Sequence, residues 1–138
     1  MPDIIYNDYL EELHKGNIDL VNDVFKAILV TDSYTPDATD HDYTDVSGVE
    51  VADGSGYTTG GKTITQSFAE VAGVATLDAV DLTWALASFT CRYCIIFDDT
   101  HADDLLVCCL DMSENKTGLG DDFNVRFNAS GIIYGQQA

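Results

Sequence analysis

Cys91 and Cys94 are separated by two residues, and Cys108 and Cys109 are adjacent. Thiols at such spacings bind zinc or cycle as a redox dithiol in other proteins. Here residues 88–97 read as a β-strand. Residues three apart on a strand point to opposite faces, and neighbours diverge, so neither pair is set to share a metal. A redox pair also belongs at a helix N-terminus, where the thiol pKa is lowered. All four cysteines are expected to be small buried hydrophobes, reduced in a cytosol. Pairing of Cys91 with Cys108 or Cys109 across two strands remains geometrically open.

Gly56, Gly61, Lys62 and Thr63 satisfy the GxxxxGK[ST] string of a phosphate-binding loop. That loop works between a buried strand and a helix whose first amides face the phosphates. Residues 49–52 make a poor buried strand, residues 63–68 are β-branched, and no βαβ alternation exists. The expectation is a glycine loop entering an edge strand, with no nucleotide. His14, His41 and His101 are isolated from each other and from the cysteines. Carboxylates flank two of them, at Asp40-His41-Asp42 and at Asp98, Asp99, Asp103 and Asp104 around His101, and raise the pKa of an imidazole. No nucleophile elbow or triad pattern occurs. For a hard cation, Asp40, Asp42 and Asp45 lack the glycine and terminal glutamate of an EF-hand. Asp98-Asp99 with Asp103-Asp104, or Asp121-Asp122, could contribute to a loop site, but solvated acidic loops are the expectation. No catalytic residue, cofactor or metal site is assigned, and the chain does not read as an enzyme.

The elements that would position these residues are mostly strands. Residues 4–15 read as an amphipathic helix, with Ile5, Tyr9, Leu10 and Leu13 at helical spacing, Asp3 as N-cap and Gly16 as stop. Residues 24–30 alternate as a strand. Residues 32–47, with Pro36 and five aspartates, read as a long acidic surface loop carrying a helical turn around 40–46. Further strands are expected at 49–52, 63–68, 74–79, 82–85, 88–97, 105–110, 123–128 and 132–134, with a turn at 128–131 and Trp84 in the core. In 88–97, period two places Phe89, Cys91, Tyr93, Ile95 and Phe97 on one face and Thr90, Arg92, Cys94 and Ile96 on the other. This strand and 105–110 are expected at the centre. The fold class is mainly β: a single-domain β-sandwich or barrel with a short N-terminal α-helix, residues 1–16 forming the helix or arm and 17–138 the β-domain.

Composition narrows the function classes. Twenty-four acidic residues face six basic ones, for a formal net charge of −18. Binding a nucleic-acid backbone needs Lys and Arg clusters that are lacking, and an anionic membrane surface would repel this chain. No apolar run approaches the roughly 20 residues of a membrane span, and the N-terminus lacks the features of a signal peptide. Synthesis and solubility in a cytosol are expected.

Several segments, in order along most of the chain, resemble a family of small structural virion proteins of tailed bacteriophages and prophages. The family pattern "D…IKVALL(T/D)SSYTPD" is matched by the stretch from Asp23 to Asp37, which ends Ser33-Tyr34-Thr35-Pro36-Asp37. "DVSGxEVxGxGYTxGGKTLT" is matched from Asp45 through Gly60-Gly61-Lys62-Thr63 to Thr65. "DxTW" is matched by Asp81-Leu82-Thr83-Trp84, "ARYAVIY" by residues 91–97, and "FTIxWxAxGI" by residues 123–132. Cys94 and Ile95 stand where the family has alanine and valine, and Phe127 stands where it has tryptophan. The resemblance implies a capsid decoration or cement protein that binds and stabilises the major capsid protein shell. It would act as a homo-oligomer, a trimer favoured, assembled in the host bacterial cytoplasm and resident in the virion. No catalytic residue carries over. Under this reading the candidate capsid contacts are Ile4, Ile5, Tyr6, Tyr9 and Leu10 in the N-terminal extension and Tyr34, Tyr43 and Tyr57 in the loops. The alternative is a tail, fibre or baseplate component, with Tyr34, Tyr43 and Tyr57 exposed for host contact.

Overall fold

The computed structural model describes residues 3–128 and 131–136. The start of the expected arm (residues 1–2) and the middle of the expected turn at 128–131 lie outside the described residues. The chain is mainly β with a short N-terminal helix, and its strands form three sheets.

The framework is a five-stranded antiparallel sheet, built from β1 (Ile4–Ile5), β8 (Leu105–Thr117), β7 (Thr90–Asp98), β2 (Phe25–Val30) and β3 (Lys62–Thr63), in that spatial order. Strands β2, β7 and the first half of β8 are near-continuous apolar runs because both faces of the sheet are covered. On one face Ala27, Leu29, Cys94, Ile96, Val107 and Cys108 join a core with Trp84 and Phe123. These two aromatics come from a two-stranded ribbon, β6 (Leu82–Ala87) paired with β9 (Asp121–Val125). On the other face Ile28, Val30, Tyr93, Ile95, Phe97, Leu106 and Cys109 pack under Tyr6, Tyr34 and Val46. The third sheet is the hairpin of β4 (Gln66–Val71) and β5 (Val74–Ala79), with β10 (Ile133–Gln136) on its far side.

Several expectations change. The helix, α1, is shorter than 4–15 and runs over Asn7–His14. Ile4 and Ile5 instead extend the sheet edge opposite Cys109 and Cys108, where two adjacent β-branched residues fit better than in a first helical turn. Asp3 does not cap α1, which starts at Tyr6 without a side-chain cap. The Asp3 carboxylate accepts the Asp111 amide at 2.6 Å. Gly16 does end the helical region in the left-handed conformation, φ +79°. Residues 49–52 form no strand of their own, only an isolated bridge from Glu50 to Val30. Strand β8 continues seven residues past its expected end, since its second half pairs with the start of β7.

The segment 32–47 is not the loosely attached surface loop that its aspartates suggested. It covers a sheet face, burying Tyr34 and Val46, and carries a short helix, α2 (Tyr43–Val46), in the predicted region. Asp42 caps α2 in a capping box with Asp45.

Candidate functional site

The chemical candidates separate once placed in the fold. A bulge between Cys91 and Tyr93 breaks the period-two alternation of β7. Cys91 therefore lies in the same core layer as Cys94 and Ile96, contrary to the opposite-face expectation, while Tyr93, Ile95 and Phe97 point the other way. Sharing a layer creates no site. All four cysteines are buried free thiols, and burial pushes Cys91 and Cys109 up to about 12. Buried neutral thiols are poor nucleophiles. Among the described residues no three His, Cys, Asp or Glu side chains converge on a point where a metal ion could sit.

The glycine segment is shaped by packing. Gly60 and Gly61 take φ of +92° and +72°, and a Cβ on Gly61 would lie 2.0 Å from the Ala27 carbonyl oxygen. Lys62 and Thr63 then enter β3 beside Ala27 and Lys26; no helix follows. The Gly60 amide donates to Glu50 Oε2 at 2.9 Å, and the same carboxylate accepts the hydroxyls of Tyr43 and Tyr57. Lys62 Nζ lies over the Trp84 ring, 5.8 Å from its centroid. The Gly60 amide is thus satisfied within the protein, while the exposed Lys62 rests over an aromatic ring.

His41 and His101 fasten the acidic loops to α1. His41 Nδ1 meets Asp8 Oδ2 at 2.6 Å, and its Nε2 meets Asp103 Oδ2 at 3.3 Å. The hydrogen bond with Asp8 is the main cause of the raised His41 pKa, and the imidazolium can donate to both carboxylates. His101 Nε2 lies 3.3 Å from Glu12 Oε2. Charge that looked like solvated loop surface is partly used to dock the loops.

Most of the proposed contact residues are also internal. Tyr6 is 0 % exposed, and its hydroxyl bonds to that of Tyr34, which donates to Asp40 Oδ2 at 2.8 Å. Tyr9, Tyr34 and Tyr57 are buried, while Ile4, Ile5 and Tyr43 are half-buried. Only Leu10, 42 % exposed, lies open. Tyr34, Tyr43 and Tyr57 do not form the expected exposed loop cluster, because each packs on an internal ring: Tyr34 on Tyr93 and Tyr43 on Phe97 of the framework, and Tyr57 on Trp84 of the β6–β9 ribbon.

The surface available for binding lies on the β4–β5–β10 sheet. The last five residues of β4 are all exposed, including Phe68 at 40 % and Val71 at 71 %. The register places Phe68, Leu77 and Ile133 side by side on one face. That face lines a groove of about 450 Å³ whose opposite wall is Tyr9, Leu13 and Leu20. Among the described residues, Glu70 is the only charged one lining it. Sequence reading missed this surface because Phe68 alternates like any core residue. The available signal was a scarcity of charge, with only Lys62 and Glu70 charged between residues 54 and 77.

No family model, curated protein or solved structure matches the chain.

Proposed function

We propose that the protein is a structural component of a tailed-phage virion, a capsid decoration protein that binds the major capsid protein shell from outside and stabilises it. The observation that carries this reading is the contrast between its interior and its β4–β5–β10 sheet. The thiols are buried, the Gly60 amide is satisfied, and His41 and His101 tie down loops. The β4–β5–β10 sheet meanwhile holds apolar side chains in solvent. Such a body suits binding, and the sequence resemblance supplies the capsid as the surface bound. The mechanism is added contact area across seams between shell subunits. A specific contact buries on the order of 1,200–2,000 Å², and repetition over the shell opposes the outward pressure of packaged DNA. The lattice contact falls to Leu10, the groove and the arm, in place of the tyrosines. The tail or fibre alternative loses its supporting feature with the burial of Tyr34 and Tyr57. No helix among the described residues is long and apolar enough to cross a membrane.

The test is to add purified protein to capsid shells lacking it. Saturable binding at many copies per shell, with a raised temperature of shell disruption, is expected. Absence of binding, or a few copies confined to the tail, overturns the reading.

A further inference from the structure

We propose that β4 is a self-association edge, through which two copies of this chain pair antiparallel about a two-fold axis to form one continuous six-stranded sheet. This goes beyond the capsid reading and does not depend on it.

Strand β4 ends the order β10-β5-β4, so among the described residues no strand lies beside the outer row of its backbone N–H and C=O groups. Exposed edges are normally blunted by shortness, proline, lysine or a bulge. Here the edge is six residues long, Gln66-Ser67-Phe68-Ala69-Glu70-Val71, in unbroken register with β5 and without proline or lysine. Apolar side chains stand on both of its faces, Phe68 with Leu77 on one and Val71 with Val74 on the other. A partner strand would extend both faces.

Charge selects a second copy as the occupant. At a net charge of −18, two copies repel wherever acidic surfaces meet, and they can approach closely only through a patch with little charge. Strand β4 carries one charged residue, and that carboxylate is engaged locally, since Glu70 Oε1 accepts the Gly73 amide of its own turn at 2.7 Å. A two-fold axis normal to the sheet keeps matching faces together and pairs residues of equal parity. Centred on Phe68 or on Ala69, it sets Glu70 opposite Gln66 or Phe68. Neither register places two glutamates directly across from each other, the arrangement that destabilises a strand pair. A basic partner would find stronger attraction almost anywhere else on this molecule. Because a two-fold contact uses the same edge twice, it closes at a dimer and leaves no β4 edge open.

Sedimentation velocity on the full chain in solution, without capsid, tests the proposal. A concentration-dependent monomer–dimer equilibrium is expected, shifted toward dimer when salt rises from about 0.05 M to about 0.5 M and screens the repulsion. Ala69→Asp should weaken association by at least about tenfold, because it sets an acid on the shared edge of both copies. Leu119→Asp adds the same charge at an exposed apolar residue in the β8–β9 connection and should shift it by less than about twofold. Val71→Asp is the second edge variant, used if Ala69→Asp loses its native circular dichroism. A monomer at every concentration overturns the proposal, as does a closed trimer, or edge variants that associate as well as Leu119→Asp. None of these results bears on whether the monomer binds shells.

Discussion

Asp98 ends β7 with its side chain fully inside the protein, 0 % exposed. Its Oδ1 accepts the amides of Thr100 and His101 at 3.0 and 3.1 Å, whereas its Oδ2 has no donor. The Asp23 carboxyl adds to the cost of a negative charge on Asp98. Burial, and then the contact with Asp23, raise the Asp98 pKa to about 7. An unfolded aspartate titrates near ~3.9. Between those values the folded state keeps a proton that the unfolded chain has released. Stability from this site therefore falls as pH rises from about 4 to about 7 and is absent above that. An asparagine keeps the Oδ1 acceptor for Thr100 and His101 without titrating. Asp98→Asn is expected to stabilise the protein at pH 8 by about 1–2 kcal/mol, several degrees in melting temperature, and to change little at pH 5. Melting curves of both proteins at the two pH values check this; an equal effect at both would overturn the raised Asp98 pKa.

At the scale of elements, the glycine loop and β3 show how a motif and its chemistry part company. The loop turns sharply so that β3 can lie against β2, and Gly61 passes too close to Ala27 for any side chain. Gly61→Ala is expected to cost at least about 3 kcal/mol, combining an unfavourable positive φ with a backbone collision. Lys62→Ala should cost only about 0.5–1 kcal/mol, the value of an exposed cation over an aromatic ring. Chemical denaturation gives this order directly. A phosphate loop would add an ATP-dependent rise in melting temperature that disappears with Lys62; here no such rise is expected. The same logic applies to 32–47, where Asp42 starts α2, Tyr34 and Val46 plug the sheet, and Asp40 and Asp45 accept hydrogen bonds within the segment.

For the whole molecule, two groups of titrating contacts set opposite limits on stability. Hydrogen bonds hold Asp37, Asp45 and Asp111 below the usual carboxylate range. Their contribution is present above the unfolded carboxylate pKa and is lost as pH falls through their folded values. His41 is raised chiefly by Asp8. Its contribution is complete below the unfolded histidine value near ~6.5 and is lost as pH rises through its folded value. Asp98 acts in the same direction as His41. Self-repulsion at a charge of −18 adds to the loss on the alkaline side. A stability maximum between about pH 4.5 and 6.5 is expected, with added salt raising the melting temperature at pH 8 more than at pH 5.5. Thermal melts across pH 4–9 at low and high salt provide the check.

The sequence by itself determined what depends on near neighbours. Period two marked β2 and β7, Gly16 marked the end of α1, and the β-branched residues after Lys62 marked a strand in place of a helix. It also set the charge balance, 24 acidic residues against six basic ones. Tertiary structure decided which side chains remain outside. One bulge in β7 moved Cys91 into the layer of Cys94, and the sheet required a cover that drew Tyr6, Tyr34 and Tyr57 inward. Phe68, patterned like a core residue, was left in solvent because the outer edge of β4 meets no further strand. Burial is a property of the partners that a strand finds, and those partners lie far away along the chain.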